Sequence, residues 1–146
     1  MEEMKTSMEE ARAISRYNRM SMKKVLATAK AVKDVSKKRN IPISYLEAMG
    51  LLQNSPRKSA IIIFNTLRDA YHNLASNNKT VTENDVYVKN IIVNEGPTMK
   101  RIKPRARGRA DRINKRMSHV RVEVGLYKSL KKKNDNNKKI EKKEEN

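Results

Sequence analysis

Residues 94–116, NEGPTMKRIKPRARGRADRINKR, narrow what this chain can build more than any other stretch of it. Positions 97 to 116 hold nine basic residues and one acid, and the apolar side chains of the stretch are only Met99, Ile102, Ala106, Ala110 and Ile113. A segment with so little to bury and so much like charge cannot make a core, and a two-stranded ribbon standing alone is marginal in water even when uncharged. A loop of this length without structure of its own is functional or disordered. The segment is therefore expected to take its order from a polyanion. Arg101, Arg105, Arg107, Arg109, Arg112 and Arg116 each offer a planar fork that matches phosphate and can stack on a base, and Lys100, Lys103 and Lys115 add point charges. Pro97 and Pro104 stiffen the approaches to the tip, while Gly96 and Gly108 permit a turn or a close backbone approach.

The flanks say how the segment is held. Residues 86–93 are rich in β-branched side chains and read as a strand whose alternation slips at Asn90. Residues 117–124 place Val120, Val122 and Val124 on one face and His119, Arg121 and Glu123 on the other. Two half-buried strands joined this way predict one long hairpin with its midpoint near Arg105, each arm reaching roughly 60 Å at about 3.3 Å per residue. A period-two run over residues 8–17, with Ala11, Ala13, Ser15 and Tyr17 in phase, is either a first strand or an arm.

Three helices are expected before the hairpin. Ser21 is a candidate N-cap for residues 22–35, where Val25, Leu26, Ala29 and Val32 recur at helical spacing. Residues 44–53 form a shorter helix with Leu46, Met49 and Leu52 inward, weakened by Gly50. Ser55 and Pro56 signal the start of a central helix whose stripe is Ala60, Ile63, Phe64, Leu67, Ala70, Tyr71 and Leu74, with Ile61 and Ile62 widening it toward a second neighbour. Residues 75–85 are a polar linker.

The length of 146 residues suits one domain, and the net charge of +18 is unevenly placed. Residues 16–39 and 86–124 each carry +8 while residues 40–85 are neutral, so a core can form in the middle and an anion is met at the two ends of it. The absence of cysteine excludes disulfides and thiolate chemistry. Aromatic content of 4% without Trp disfavours a stacking platform for single strands. No apolar run approaches the roughly 18 to 20 residues of a membrane span, and the acidic start is unlike a secretory or transit leader. An enzyme finds little support. Three Ser-x-x-Lys matches, Ser21/Lys24, Ser55/Lys58 and Ser129/Lys132, are what a lysine-rich chain yields by accident. His72 reads as a structural or surface side chain, and Asp69, Glu83 and Asp85 make no metal pattern. Neither metal nor cofactor is expected.

The runs NEGPTMKR (94–101), PRARGRADR (104–112) and KRMSHV (115–120), with RYNRMSMKKV (16–25) and PRKSA (56–60), resemble the bacterial-type large-subunit ribosomal protein twenty-two family over residues 11–124. The resemblance implies an α+β fold, three helices packed on a small three-stranded antiparallel sheet with a long protruding β-hairpin. It implies a structural constituent of the large ribosomal subunit, in the cytoplasm or in an organelle's stroma or matrix. Its partners would be large-subunit ribosomal RNA, neighbouring ribosomal proteins and the nascent peptide in the exit tunnel, with no membrane. Carried over, Lys100, Arg101, Lys103, Arg105, Arg107, Arg109, Arg112, Lys115 and Arg116 would meet RNA on the hairpin; His119, on the strand that follows, is read from its own position as a candidate RNA-side hydrogen bond. The tip nearest the tunnel would be Lys103, Pro104, Arg105, Ala106, Arg107, Gly108 and Arg109. Arg16, Arg19, Lys23, Lys24, Arg57 and Lys58 would form the RNA-facing edge of the domain.

In this reading residues 1–15 are an arm or first strand, residues 16–93 with 117–124 the globular part, 94–116 the hairpin and 125–146 a low-complexity tail expected to be disordered. Three features depart from the family pattern. Met22 stands where proline is common, the link 37–42 lacks a glycine, and Glu2, Glu3, Glu9 and Glu10 are expected to face solvent. The alternative is a general nucleic-acid binder outside the ribosome.

Overall fold

Alternation in the last strand organises the rest of the chain. In a computed structural model, which describes residues 10–78 and 80–127, β3 (Ala110–Leu126) runs between β1 (Glu10–Asn18) and β2 (Val86–Pro104) in a three-stranded antiparallel sheet. Glu2, Glu3, Glu9, Ser129, Lys132 and residues 128–146 of the expected tail lie outside the described residues, whereas Gly125 and Leu126, expected in that tail, belong to β3. Val120, Val122 and Val124 are fully buried, opposite Val93, Ile91 and Val88 of β2, and Ala13 of β1 pairs with Val122. The slip at Asn90 is a bulge between Val88 and Asn90. It keeps the β2 side chains on both sides of it facing inward.

Three helices cover that face: α1 (Met22–Arg39), α2 (Tyr45–Gln53) and α3 (Lys58–Asn77). The architecture is α+β. The α3 stripe of Ala60, Ile63, Leu67, Ala70 and Leu74 is buried against the sheet, with Phe64 and Tyr71 packed at its margin. Each fully buried Ile or Leu contributes roughly 1.5 to 3 kcal/mol. Between α1 and α3, Thr28 and Ser59 share a buried hydroxyl hydrogen bond of 2.6 Å, which fixes the start of α3 beside the first turns of α1.

Several boundaries differ from expectation, each for a local reason. Helix α1 continues past Val35 to Arg39 and ends on Asn40, whose φ of 52° takes the left-handed turn that the absent glycine would have made. Lys37, Lys38 and Arg39 sit on its last turn, where cations suit the helix dipole. Ser21 holds the N-cap position of α1 but its side chain caps nothing. Ser44 does cap α2, accepting from the Glu47 N–H at 3.2 Å. In α2 the inward residues are Tyr45, Ala48 and Leu52, while Leu46 is exposed and Met49 half-buried, because the Tyr45 ring stacks on Tyr71 of α3 at 4.7 Å and sets the rotation. Helix α3 starts at Lys58, with Arg57 as N-cap, since the Ser55 N–H turns back to Leu52 O at 3.3 Å and closes α2. It also runs on into the expected linker, to Asn77.

Of the two residues expected to widen the α3 stripe, Ile62 packs against the core while Ile61 is 63% exposed, and Tyr17, at φ 57°, leaves the inward set of β1. Glu10 does not simply face solvent: it is half-buried and pairs with Lys89 across the sheet. Finally, Val86 pairs with Leu126 and the two bulges of β2 each add a residue to that strand. The hairpin therefore turns about Arg107 rather than Arg105.

Candidate nucleic-acid interface

Beyond the second bulge, between Glu95 and Thr98, the β2–β3 ladder continues with no core beneath it. The pairs run from Thr98 with Arg116 to Pro104 with Ala110, and every residue from Pro97 to Arg116 is exposed. Directly opposed residues of an antiparallel pair share a face, so the register sorts the cations. Lys100, Arg112 and Arg116 lie on one face with Ile102; Arg101, Lys103 and Lys115 lie on the other with Met99 and Ile113. The ribbon is basic on both sides. At its tip the Arg105 N–H donates to Arg109 O at 2.8 Å, and Arg107 and Gly108 adopt left-handed φ values of 57° and 70°. Arg105 also donates to the Asp111 carboxylate at 2.7 Å, which offsets part of its charge, whereas Arg107 and Arg109 make no ion pair among the described residues.

A second group of cations gathers where the ribbon leaves the domain. A cleft of about 570 Å³ is bounded by Arg19, Met20 and Ser21 of the β1–α1 bend, by Lys24 of α1, by Met99, Arg101, Asn114, Lys115 and Arg116 of the ribbon and by Met117 at its base. It adjoins a hollow of about 390 Å³ formed by Met20, Lys24, Ala27, Arg57, Lys58 and Ser59. On its other side a third hollow brings Lys23 and Arg116 together with Glu95, to which Arg116 donates at 3.2 Å. The Thr28–Ser59 contact is what brings Lys24 near Arg57 and Lys58.

Local electrostatics separate these helix starts from the third. Helices α1 and α3 have no side-chain cap and no acid in the first turn, which carries Lys23 and Lys24 in one and Lys58 in the other. Cations there oppose the helix dipole, each by about 0.3 to 1 kcal/mol, and the free N–H groups want an acceptor. Helix α2, with Ser44 and Glu47, is capped in the ordinary way. The hollow at the start of α3, formed by Arg57, Lys58 and Ser59, also takes in Lys24 of α1, a concentration of positive charge that an anion relieves.

Of the residues singled out by sequence, Arg19, Lys23, Lys24, Arg57, Lys58, Arg101, Lys115 and Arg116 are thus brought around the ribbon base. Lys100, Lys103 and Arg112 stand farther out, and Arg105, Arg107 and Arg109 form the tip. Arg16 is exposed on β1 and lines none of these clefts. His119 is half-buried and one of its ring nitrogens is engaged: its Nδ1 accepts the Tyr17 N–H at 3.0 Å and its ring meets that of Tyr17 edge to face at 4.9 Å. It braces the bend at the end of β1. Sequence reasoning passed over Met20, Met99 and Met117, which no pattern marks because they become neighbours only through the β1–α1 bend and the ribbon register. Among the described residues no three His, Asp or Glu side chains gather as metal ligands, and no helix is long and apolar enough to cross a membrane.

A family model described as ribosomal protein L22p/L17e matches residues 13–125. The chain is 44% identical over 115 residues to the large ribosomal subunit protein uL22 of Petrotoga mobilis, covering 79% of this chain and 71% of that one. Against uL22 of Clostridium novyi the identity is 41% over 115 residues, with 79% and 96% covered. Against uL22 of Leptospira biflexa it is 38% over 117 residues, with 80% and 93% covered.

Proposed function

Because the chain belongs to the ribosomal protein L22p/L17e family, we propose that it is a structural constituent of the large ribosomal subunit, without catalytic activity, that binds large-subunit ribosomal RNA and extends its ribbon to the wall of the nascent-peptide tunnel. The observation that carries this reading is the two-sided charge of the ribbon. A strip with cations on one face would lie on a surface. One with Lys100, Arg112 and Arg116 on one face and Arg101, Lys103 and Lys115 on the other is suited to lodge between two RNA segments. Each face then neutralises phosphates and releases their counterions, the dominant and sequence-independent part of such binding. The RNA supplies the order that the ribbon's few apolar groups do not.

Roles follow from position. The uncapped starts of α1 and α3, with Arg19, Lys23, Lys24, Arg57 and Lys58, clamp backbone phosphates at the domain surface, and Arg16 extends that edge. Lys103 to Arg109 reach farthest from the domain and border the tunnel, where they meet the nascent peptide. Faces turned away from RNA are left for neighbouring ribosomal proteins. In a bacterial cell this places the protein in cytoplasmic ribosomes.

Sedimentation of a lysate containing the full-length chain tests the proposal. The protein should travel with the large subunit through moderate salt, and a map of that particle should show residues 98–116 enclosed by RNA. Recovery only in the soluble fraction, with affinity for any polynucleotide falling steeply with salt, would instead identify a general nucleic-acid binder.

A further inference from the structure

The cleft at the ribbon base differs from the rest of the basic surface in what lies between its charges. Met20, Met99 and Met117 come from three separate segments, yet all line it, and Met117 is buried while Met99 is open to solvent. A duplex offers a protein mainly phosphate and 2′-hydroxyl groups, which need cations and polar partners. An exposed thioether such as that of Met99, beside a half-buried Met20, is of no use to it. The face of an unstacked base is different, because methionine sulfur and methylenes are soft, polarisable partners for a flat aromatic ring.

Resting on the RNA-binding reading above, we propose that this cleft holds one unpaired nucleotide of the ribosomal RNA, its base seated on the methionines and its phosphate held by the surrounding cations. The volume of about 570 Å³ falls within the roughly 300 to 1,000 Å³ of small-molecule sites and is too small to admit a duplex. Arg101 donates from one guanidinium nitrogen to Met99 Sδ at 3.7 Å and from another to Lys100 O at 3.2 Å, which holds its plane against the cleft wall as a stacking surface. Lys115 stands directly across the ladder from Met99, and Arg19 of the β1–α1 bend and Lys24 of α1 face them. Among the described residues none of these three cations is in an ion pair, so they are available to a phosphate. The Ser21 hydroxyl, which does not cap its helix, and the Asn114 amide are the groups placed to read the base edge.

The test uses the full-length chain bound to protein-free large-subunit ribosomal RNA. Ultraviolet cross-linking followed by peptide and nucleotide mapping should join one unpaired nucleotide to a peptide containing Met20, Met99 or Met117. The double variant Met20→Ala/Met99→Ala should lose about tenfold in affinity, the order expected for one stacked base, with an unchanged dependence on salt. Lys115→Ala should flatten the salt dependence. Cross-links confined to other parts of the chain, or to paired nucleotides, would overturn the inference, as would wild-type affinity in a double variant with a normal melting curve. In those cases RNA binding itself stands. Failure of the unaltered chain to bind the RNA would overturn both readings together.

Discussion

Strands β2 and β3 each contain two halves that belong to one ladder, offset by a bulge, and differ in almost everything else. From Val86 to Val93 the ladder sends Val88, Ile91, Val93, Val120, Val122 and Val124 into the core. From Thr98 to Pro104 the same pairing continues and every side chain is exposed. Only a bulge at Gly96 and Pro97 lies between them. The difference teaches that pairing geometry is passed along a ladder by local hydrogen bonds, whereas stabilisation is not. Backbone hydrogen bonds exchanged with water leave a net of only about 1 kcal/mol each, so an exposed ladder has no reserve. The inner half supplies a template; the outer half needs a partner.

The largest expected effect comes from separating the halves. Replacing residues 100–114 by Asn-Gly joins Met99 to Lys115, which are already cross-strand partners, through a turn suited to a two-residue hairpin. Seven basic residues leave with the segment. Affinity for large-subunit ribosomal RNA at fixed salt should fall by about 100-fold or more, while the melting temperature of the domain should move by less than about 4 °C. A collapse of the melting transition would show that the ribbon belongs to the core after all. The converse variant is Ile63→Ala, which empties a fully buried site under the inner half. It should cost about 2 to 5 kcal/mol in denaturant titration, and the protein that remains folded should bind RNA within about twofold of the parent. A parallel loss of affinity would mean that the two halves do not separate energetically.

The same division explains what the sequence made legible. Where one force dominates, pattern is enough: the Val120, Val122 and Val124 alternation, the α3 stripe from Ala60 to Leu74, and the ribbon's charge with nothing to bury. The slip at Asn90 was visible for the same reason, as a break in period. Where tertiary contact chooses between equal local options, it is not. Leu46 and Tyr45 are both good inward candidates, and only the Tyr71 ring decides for Tyr45. Ser55 and Pro56 make a sound helix start, yet the Ser55 N–H is taken by the preceding helix. Asn40 could end α1 as glycine would, which composition alone does not announce. In the candidate site, the cations could be named one by one, but their convergence on a methionine-floored cleft depends on the bend at Tyr17 and on the ribbon register.

A smaller effect isolates the core by pH. Burial, then the nearby Glu83 carboxylate and Tyr71, push the Tyr45 hydroxyl up to about 12 from 10.0, with Arg68 opposing. Above pH 10 the unfolded chain therefore gives up this proton while the folded one keeps it. Stability from the neutral ring is complete below pH 10 and drains away as the pH rises toward 12, by about 3 kcal/mol at most. Tyr45→Phe should flatten this part of the stability profile. The variant lacking residues 100–114 should keep the parent's slope, because every side chain it removes is exposed in the folded protein and none touches the Tyr45 site. A changed slope there would tie the outer half to the core's titration.

The smallest effect sits at the junction. A Cβ built on Gly96 would lie 3.2 Å from the Met117 carbonyl carbon and 3.2 Å from His119 Nε2. The backbone atom cannot swing aside, and His119 is held by Tyr17, so β2 must lift from β3 by a few tenths of an ångström at the bulge. Gly96→Ala should cost about 1 kcal/mol, near the low end for an overpacked contact. Gly50→Ala is the control: nothing lies within 4 Å of its Cβ, and in the middle of α2 it should gain about 0.5 to 1 kcal/mol. The informative quantity for Gly96→Ala is the ratio of two losses. If the bulge sets the angle at which the ribbon leaves the domain, RNA affinity should fall several-fold while the melting temperature drops by only a few degrees. If stability falls and affinity does not, Gly96 serves the inner half alone, and the ribbon takes its direction from the RNA it enters.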